Sequence, residues 1–359
     1  VVATAELIVT RPSGSGAGGA GGAASDPESG GAAGESSNSG GQVGAAGEPT
    51  VIGGAGGASG DTTAVTRIYV SSLGGEGIVP SIRIFALDAA GDVAPVASLV
   101  GPATKLNGPG QMAVAGNELF VANGEGKGIL VFDVHATGNV GPLRSITGYN
   151  TTFTNFSPVG IALRGNSILV SDQGKGLMTF PTSGSGDIAP SGTIGPVFWY
   201  ASHVSNSTVA NEILVAVPTP SSEVRGYLVS AGAADAPLRV LKPGRAWARG
   251  VTSTPTGIFV VTSGLVEATI DDAVTVFAHD AKTNDAPLRA IAGLTKTGLR
   301  EPCGVNVHAG EIYVANQSEH AIRIFDVNAD GDVAPLRIIK GPRTGLRFPC
   351  GMLVATTGG

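Results

Sequence analysis

From Thr66 to the C-terminus, apolar residues come in short runs separated by clusters of Gly, Asn, Asp and Pro. Runs such as ELFVAN (118–123) and GILVFDV (128–134) have the length of β-strands and are rich in β-branched and aromatic residues. The connections AGNE, RGNS, VANE and HAGE supply the Gly and Asn that tight hairpin turns require. The pattern predicts an all-β fold built from antiparallel hairpins.

The strand-like runs belong to a repeat that occurs six times. IRIFALDAAGDVAPVASLVG begins at position 82 and IRIFDVNADGDVAPLRIIKG at position 322, with four similar segments between them. In every copy an aromatic residue is followed ten positions later by proline, and successive aromatics are 47 to 50 residues apart. The six pairs are Phe85/Pro95, Phe132/Pro142, Phe180/Pro190, Tyr227/Pro237, Phe277/Pro287 and Phe325/Pro335. A period in the high forties with four strands (a to d) per repeat is typical of a β-propeller blade.

The strand count predicts how the ring closes. The first copy begins at strand b (67–72) and lacks strand a, whereas the last copy is followed by an extra strand a (349–355). The C-terminal strand a is therefore expected to complete the blade that holds the N-terminal strands b, c and d. The prediction is a six-bladed propeller of four-stranded blades over residues 67–359.

Strand d is expected to be the exposed outer edge of each blade. Proline opens this strand, and an edge strand tolerates the missing N–H. An arginine follows two residues later in four copies, and charges there are expected to discourage pairing between exposed edges. These residues are Arg144, Arg239, Arg289 and Arg337.

The motif F-D-x-x-x-x-G-D-x-A-P-L-R-x-I-x-G, followed by P-x-G-[IV] and I-[FY]-V-A-N, resembles that of NHL-repeat and related six-bladed bacterial propellers. The resemblance covers residues 67–356. It implies the propeller architecture and an extracytoplasmic type. Such propellers serve as binding scaffolds and sometimes as hydrolases, so the resemblance leaves the activity open.

Charge and composition narrow the range of partners. Residues 1–61 hold six acidic residues and one basic residue, whereas the rest of the chain carries 22 acidic and 21 basic residues. A nearly neutral propeller offers no basic stripe for a phosphate backbone, so no nucleic-acid partner is expected. No run of 18 apolar residues occurs, so no membrane span is expected. Few charges and abundant Gly, Ala, Ser and Thr favour an extracellular or cell-surface protein.

The N-terminal arm differs from the repeats. Segment 1–12 contains one hexapeptide of good strand formers: Ala5, Glu6, Leu7, Ile8, Val9 and Thr10. Residues 13–66 form a Gly-rich tether, in which Ser13 to Gly60 holds 18 glycines and no aromatic residue, lysine or arginine. A flexible spacer of this length has an average reach of roughly 40 Å. The hexapeptide is a remnant beside a removed secretion signal, an extra strand on its own propeller, or a strand donated to the next subunit.

The two cysteines occupy the same repeat position. Cys303 and Cys350 lie in EPCGV and FPCGM, at the start of strand a in neighbouring blades. Equivalent positions of adjacent inner strands lie near the axis, within reach of a disulfide. The alternative is a pair of small buried apolar side chains. A redox or metal role is not favoured, because neither a C-x-x-C motif nor a His/Cys cluster accompanies them in the sequence.

One turn resembles the start of a calcium loop. DVNADGD offers Asp326, Asn328 and Asp330 as weak candidate ligands. Arg337 stands where such a loop requires glutamate, and the other five copies place ordinary turn residues here. A hairpin turn is favoured, and no cofactor is expected.

A lactonase-like hydrolase is the catalytic alternative. Six-bladed propellers of the gluconolactonase and paraoxonase type, which this repeat resembles in architecture, hold a metal on the axis. The d–a and b–c loops share one end of the ring, here called the mouth face. That face is expected to gather Asn123, Asp172, Asn316, His203 and His320, beside a contact patch of Phe198, Trp199, Tyr200 and Trp247. Oxygen ligands suit calcium, but a single carboxylate is too few, and no G-x-S-x-G or H-E-x-x-H motif occurs.

The leading hypothesis is a non-catalytic extracellular structural subunit. Donation of the N-terminal strand to the next copy would join propellers head-to-tail into a filament or surface polymer. A secreted binding module for a protein or glycan partner is the first alternative. A calcium-dependent lactonase-like hydrolase is the second.

Overall fold

The computed structural model describes residues 64–74, 77–153, 157–195, 202–219, 221–264 and 272–358. All of them belong to one of the two units into which the chain divides, Ser59–Gly359. The predicted donor strand, most of the tether and the aromatic segment Phe198, Trp199 and Tyr200 lie outside the described residues.

The described residues contain six antiparallel four-stranded sheets, which are the six blades of a β-propeller. From the inner to the outer strand, blade 1 consists of β24 (Pro349–Thr357), β1 (Val65–Ser72), β2 (Ser81–Ala86) and β3 (Ala97–Val100). Blade 2 consists of β4 (Pro109–Ala115), β5 (Glu118–Asn123), β6 (Gly128–Asp133) and β7 (Arg144–Thr147). Blade 3 consists of β8 (Gly160–Arg164), β9 (Ser167–Asp172), β10 (Gly176–Pro181) and β11 (Gly192–Ile194).

The remaining three blades follow the same order. Blade 4 consists of β12 (Val204–Asn206), β13 (Glu212–Val217), β14 (Glu223–Leu228) and β15 (Arg239–Leu241). Blade 5 consists of β16 (Ala248–Thr254), β17 (Gly257–Thr262), β18 (Ala273–Phe277) and β19 (Arg289–Ala292). Blade 6 consists of β20 (Pro302–His308), β21 (Glu311–Asn316), β22 (Ala321–Asp326) and β23 (Arg337–Ile339). Short 3-10 turns occur at Pro102–Thr104, Gln317–Glu319 and Pro342–Thr344.

The C-terminal strand closes the ring, as the strand count predicted. β24 pairs antiparallel with β1 from Val65↔Thr357 to Ser72↔Pro349, and β1 pairs on its other side with β2. Both chain ends of the propeller therefore lie in one sheet. Among the described residues, no helix is long and apolar enough to cross a membrane.

The hydrophobic core lies between the blades. Among the described residues it consists of six clusters, each shared by two adjacent blades. Middle strands are covered on both faces because every sheet stacks against a neighbour on either side, and their apolar runs are therefore continuous. In β5, for example, every residue after Glu118 is buried. The repeat aromatics Phe85, Phe132, Phe180, Tyr227, Phe277 and Phe325 are all 0% exposed.

The expectation of exposed d strands is wrong for four blades, in which the c–d turn of the next blade pairs with strand d in parallel. Gly138 N donates to Ser98 O at 2.6 Å, and Val100 N donates to Gly138 O at 3.1 Å. Bridges of the same kind join Ile146 to Gly186, Ile291 to Gly331 and Ile339 to Gly91. The turns thus satisfy outward backbone groups that a bare edge would leave open.

In four blades the acidic or amide residue of the c–d turn holds the preceding blade. Asp332 Oδ1 accepts hydrogen bonds from Lys296 N at 2.8 Å and Thr297 N at 3.1 Å, and the Thr295 hydroxyl holds the pKa of Asp332 below its usual value. Gly293 has φ 156°, and a Cβ there would lie 2.3 Å from Asp332 Cγ. Equivalent pairs are Gly101/Asn139, Gly148/Asp187 and Gly341/Asp92. The spacing that these repeats share therefore places the turn residue against the preceding blade.

The repeat arginines join blades and do not guard edges, which corrects the sequence-based expectation. Arg144 pairs with Glu118 in its own blade and donates to Thr182 O of the next blade at 2.6 Å. Arg239 donates to Glu212 Oε2 at 2.5 Å, and both residues are buried. Arg337 contacts Glu311 and Leu87 O, and Arg289 contacts Val327 O and Ala329 O. Hydrogen bonds from Arg144 and Arg337 lower the pKa of Glu118 and Glu311.

Candidate functional site

A cavity of about 390 Å³ lies on the ring axis at the mouth face. Six of its lining residues share one repeat position at the start of the innermost strand, one from each blade. They are Gly110, Val159, Ser202, Arg249, Cys303 and Cys350. Residues of the mouth loops, among them Trp247, Glu301 and Gln173, form the upper wall. We call this space the mouth cavity.

The residue that follows this position in each innermost strand determines whether a side chain extends across the ring axis. In four blades it is glycine, because the inner strands approach too closely for a side chain. A Cβ on Gly304 would lie 2.0 Å from Cys350 O, and a Cβ on Gly351 would lie 2.0 Å from Gly110 O. Blades 2 and 4 instead carry Gln111 and His203.

Gln111 ties three blades together at the axis. Its Oε1 accepts hydrogen bonds from Ile161 N at 3.0 Å and Val204 N at 2.9 Å, and its Nε2 donates to Val204 O at 2.8 Å. The amide therefore spans from blade 2 past blade 3 to blade 4. Its buried polar atoms are satisfied by backbone, which suits a structural role.

His203 projects across the axis toward the closing strand. The residue is 1% exposed, and its Nε2 lies 3.9 Å from Cys350 Sγ. Burial, together with the nearby charge of Arg249, lowers the pKa of His203 to about 3. The imidazole is therefore neutral at ordinary pH, with a lone pair on one ring nitrogen.

Cys303 and Cys350 lie at disulfide distance, with Cα atoms 4.9 Å apart. They connect β20 of blade 6 with the closing strand β24 near the axis. Together with His203 they form the one group of three or more His, Cys, Asp or Glu residues at metal-binding distance in the described part of the chain. The sequence shows no His/Cys cluster beside the cysteines, and the fold creates one because the ring brings a histidine from its far side to them.

Arg249 supplies the positive charge of the mouth cavity. It is half-buried, and its Nη1 donates to Gln317 Oε1 at 2.7 Å. Burial lowers its pKa, and the carboxylates of Glu301 and Asp272 oppose that effect. Of the described residues that line the cavity, Arg249 is the one with a positive charge. Trp247, half-buried, lies two residues before it in the same wall.

The amides that the hydrolase alternative offers as metal ligands instead brace loops. Asn123 Oδ1 accepts a hydrogen bond from Asn107 N at 2.7 Å, and its Nδ2 donates to Lys105 O at 3.1 Å. Asn316 repeats both bonds with Arg300 N (2.7 Å) and Gly298 O (3.0 Å). Because the two asparagines make equivalent bonds in two blades, their role is structural and repeated, and they do not form a single axial site.

The other predicted mouth residues also have local surroundings. Asp172 is 0% exposed at the end of β9. His320 Nδ1 accepts a hydrogen bond from Phe348 N at 3.1 Å, and its ring packs edge-on against Phe348 with centroids 4.6 Å apart. Trp247 is the member of the predicted contact patch that falls within the described residues, and it lines the mouth cavity.

The weak calcium candidates lie at the end of β22 and in the hairpin turn that follows it. Asp326 Oδ1 accepts a hydrogen bond from Asn328 N at 2.8 Å. Asp330 Oδ1 accepts one from Ala290 N of the preceding blade at 3.2 Å. These bonds give two of the three candidates, the carboxylates, a turn-forming and blade-joining role.

Sequence inspection missed Arg249 and Gln111. Both become visible when ARG (248–250) and PGQ (109–111) are aligned with the two PCG segments. Arg249 then falls on the cysteine position, and Gln111 on the glycine position. The repeat register is therefore the signal that identifies the axial residues.

Comparison with known proteins shows the fold and no closer relationship. No protein-family model matches the chain, and no curated protein matches its sequence. A chain in the crystal structure of a nidogen/laminin complex is similar with a TM-score of 0.57 and 12% identity, over 81% of this chain and 98% of that chain. A functionally unknown protein from Desulfotomaculum acetoxidans DSM 771 is similar with a TM-score of 0.48 and 13% identity, over 79% and 84% of the two chains. The first similarity supports the β-propeller fold alone.

Proposed function

We propose that this chain is an extracellular, non-catalytic binding module that holds an anionic group of a protein or glycan partner in the mouth cavity. The observation that carries the proposal is the position of Arg249, half-buried on the ring axis in a cavity of about 390 Å³. Membership of the NHL-like propellers, which serve as binding scaffolds, is part of the same proposal.

The chemistry of Arg249 favours an acceptor as the ligand group. A guanidinium presents five donors in a fixed fork, and one of them is used by Gln317 Oε1 at 2.7 Å. Carboxylates bind such a fork through two parallel hydrogen bonds. Glu301 and Asp272 already offset part of the cost of burying the guanidinium, and a partner carboxylate would add a direct bidentate contact. Trp247 adds an apolar face against which a sugar ring or an aliphatic stem packs.

Two further observations support binding over catalysis. The amides of Asn123 and Asn316, which a metal-dependent hydrolase of the lactonase type would use, bond to loop backbone. The fold is also similar to a chain from a nidogen/laminin complex, a setting in which proteins bind one another. Fold similarity is an analogy and adds only to the plausibility of a binding role.

The test is a titration with carboxylate-bearing compounds. A panel of uronic-acid oligosaccharides and Asp/Glu-rich peptides is screened by thermal shift, and binders are measured by calorimetry. Arg249→Gln is expected to weaken binding by roughly tenfold or more, since it removes a charge-assisted pair. Lys242→Gln, at an exposed surface lysine, is the matched control and is expected to bind as wild type. Undiminished binding by a folded Arg249→Gln variant would overturn the proposal.

The hydrolase alternative has its own screen. Lactones and aryl esters are incubated with the protein with and without Ca²⁺, and we expect no rate above background. A calcium-dependent rate that disappears in Asn123→Ala would contradict the non-catalytic assignment.

Self-assembly through residues 5–10 is the second candidate function, and exposed apolar side chains immediately before the outer strands favour it. In five blades the residue after the repeat proline is aliphatic and 54% to 61% exposed. These residues are Val96, Leu143, Leu238, Leu288 and Leu336. We propose that the strand of a neighbouring copy covers part of this rim with Leu7 and Val9, which lie on one face of an extended chain. Because c–d turns already pair with the d strands, side-chain burial would carry this contact more than new backbone pairing.

A further inference from the structure

We propose that reduction of the Cys303–Cys350 bond creates a zinc site, in which the two thiolates and His203 bind one Zn²⁺ beneath the mouth cavity. The three ligand atoms lie within 4.8 Å of one another, and all three residues are buried. The proposal goes beyond ligand binding at Arg249 and does not depend on it.

The geometry is close to that of a zinc site. Tetrahedral Zn²⁺ with Zn–S bonds of about 2.3 Å and Zn–N bonds of about 2.0 Å keeps its ligand atoms roughly 3.5–3.8 Å apart. His203 Nε2 already lies 3.9 Å from Cys350 Sγ. The change that remains is separation of the two sulfurs, which breaking their bond permits. Three protein ligands leave a fourth position for water or a partner group.

The repeat provides an independent reason to connect His203 with the cysteines. Four blades place glycine at the position of His203, and a side chain there meets the neighbouring inner strand. Blade 4 accepts an imidazole that is 1% exposed and whose Nε2 lies 3.9 Å from Cys350 Sγ. The propeller fold therefore does not require a histidine at this position, whereas the proposed zinc site uses His203 as its third ligand.

The charges balance in the reduced, metal-bound state. Two thiolates neutralise one divalent cation, and neutral imidazole is the form that binds metals. Arg249, which lines the same cavity, then faces a neutral cluster instead of an added positive charge. Thiolate and imidazole ligands favour Zn²⁺ over the oxygen-seeking Ca²⁺.

The exchange conserves atoms and electrons. A dithiol reductant transfers two electrons and two protons to the disulfide, so the S–S bond breaks, two thiols form, and the reductant leaves as its cyclic disulfide. Zn²⁺ then displaces both thiol protons to solvent, forms two Zn–S bonds and accepts the lone pair of His203 Nε2. The bonded and metal-bound states exclude each other, because the same sulfur atoms serve both.

Cobalt is the spectroscopic probe, because Co²⁺ takes the same tetrahedral position as Zn²⁺ and absorbs light. The full chain is reduced with a phosphine, which leaves as its oxide, and is titrated with Co²⁺ without oxygen. We expect a sulfur-to-cobalt charge-transfer band that saturates at one equivalent and disappears when Zn²⁺ displaces Co²⁺. The oxidised protein is expected to give no such band.

Histidine variants test whether His203, and not another histidine, binds the metal. His203→Gly, which installs the residue used by four blades, is expected to weaken Co²⁺ binding by roughly tenfold or more. His135→Gln, at an exposed turn histidine, is the matched control and should bind as wild type. Absence of the charge-transfer band in reduced wild-type protein that is folded by circular dichroism would overturn the proposal. Equal Co²⁺ affinity of folded His203→Gly and wild type would overturn it as well, and this comparison stands even if cysteine variants fail to fold.

Discussion

Arginines at one repeat position differ in how deeply their ion pairs are buried. Arg239 is 8% exposed and its partner Glu212 is 1% exposed. The side chains of Arg144 and Glu118 are 18% and 34% exposed. The same pairing therefore has different consequences in two blades, because water screens one pair and is excluded from the other.

Arg239→Ala is expected to lower the free energy of unfolding by about 3–5 kcal/mol, because it leaves Glu212 buried without its partner. Arg144→Ala, the matched control, is expected to cost about 1 kcal/mol or less, since Glu118 is reached by solvent. Urea unfolding followed by circular dichroism measures both changes. Equal losses in the two variants would show that burial of the pair does not matter.

His203 makes stability depend on pH, because its pKa is about 3 in the folded protein and about 6.5 in the unfolded chain. Below pH 6.5 the unfolded state binds a proton that the native state does not, so stability falls as the pH falls toward 3. Between about pH 6.5 and pH 5 the loss from this residue is about 2 kcal/mol.

His203→Gly is expected to reduce the slope of unfolding free energy against pH in that window. Stability from urea melts at several pH values measures the slope. His135→Gln, which changes an exposed histidine, is expected to keep the wild-type slope. An unchanged slope in a folded His203→Gly variant would show that His203 does not cause the pH dependence.

At the scale of elements, the closing strand β24 is held by pairing with β1 and by the cysteine pair. The pair spans 47 residues. In the loop-entropy model, a crosslink of that span stabilises the protein by about 4 kcal/mol. Reduction without added metal is therefore expected to lower the urea midpoint substantially, with circular dichroism showing a folded ring before denaturant is added.

Peptide mapping under non-reducing conditions measures the bond itself, and it is expected to recover Cys303 and Cys350 in one crosslinked peptide pair. A Cys303→Ser/Cys350→Ser variant whose urea midpoint equals that of the oxidised wild type would contradict a stabilising role for the bond. Recovery of Cys303 and Cys350 in two unlinked peptides, from protein exported to an oxidising compartment, would show that the disulfide does not form.

The sequence predicted the elements well because each strand carries its own signal. The run ELFVAN coincides with β5, and the extra PCGMLVA run lies in β24. What it missed is the contact between blades. Gly138 and Asp332 look like ordinary turn residues in isolation, and only the neighbouring blade shows that they bind strand d and the d–a loop.

The candidate site was less predictable than the elements, because it forms from six distant segments. Cys303 and Cys350 could be paired from their shared repeat position. His203 could not be placed beside them, because that contact crosses the ring from blade 4 to blade 1. Asn123 and Asn316 came into question as metal ligands under the hydrolase alternative, because sequence shows ligand types but not the loop N–H groups that occupy them.

For the whole molecule, the proposed self-assembly would depend on the N-terminal arm. Deletion of residues 1–12 is expected to convert any polymer of the full chain to monomers, because it removes the strand proposed to cover the rim of a neighbouring copy. Light scattering and electron microscopy measure the assembly state. Leu7→Asp is a matched point variant that keeps the length of the arm. Polymers of unchanged size after the deletion would contradict assembly through this strand.

The mouth cavity is the proposed binding site, and Arg249 is proposed to hold the ligand there. The most direct measurement is a crystal structure of the propeller with the tightest carboxylate ligand from the binding screen. We expect ligand density inside the mouth cavity, with the carboxylate hydrogen-bonded to the Arg249 guanidinium and the adjoining group against Trp247. Ligand density on the outer rim or elsewhere on the surface, with the mouth cavity filled by water alone, would contradict the account.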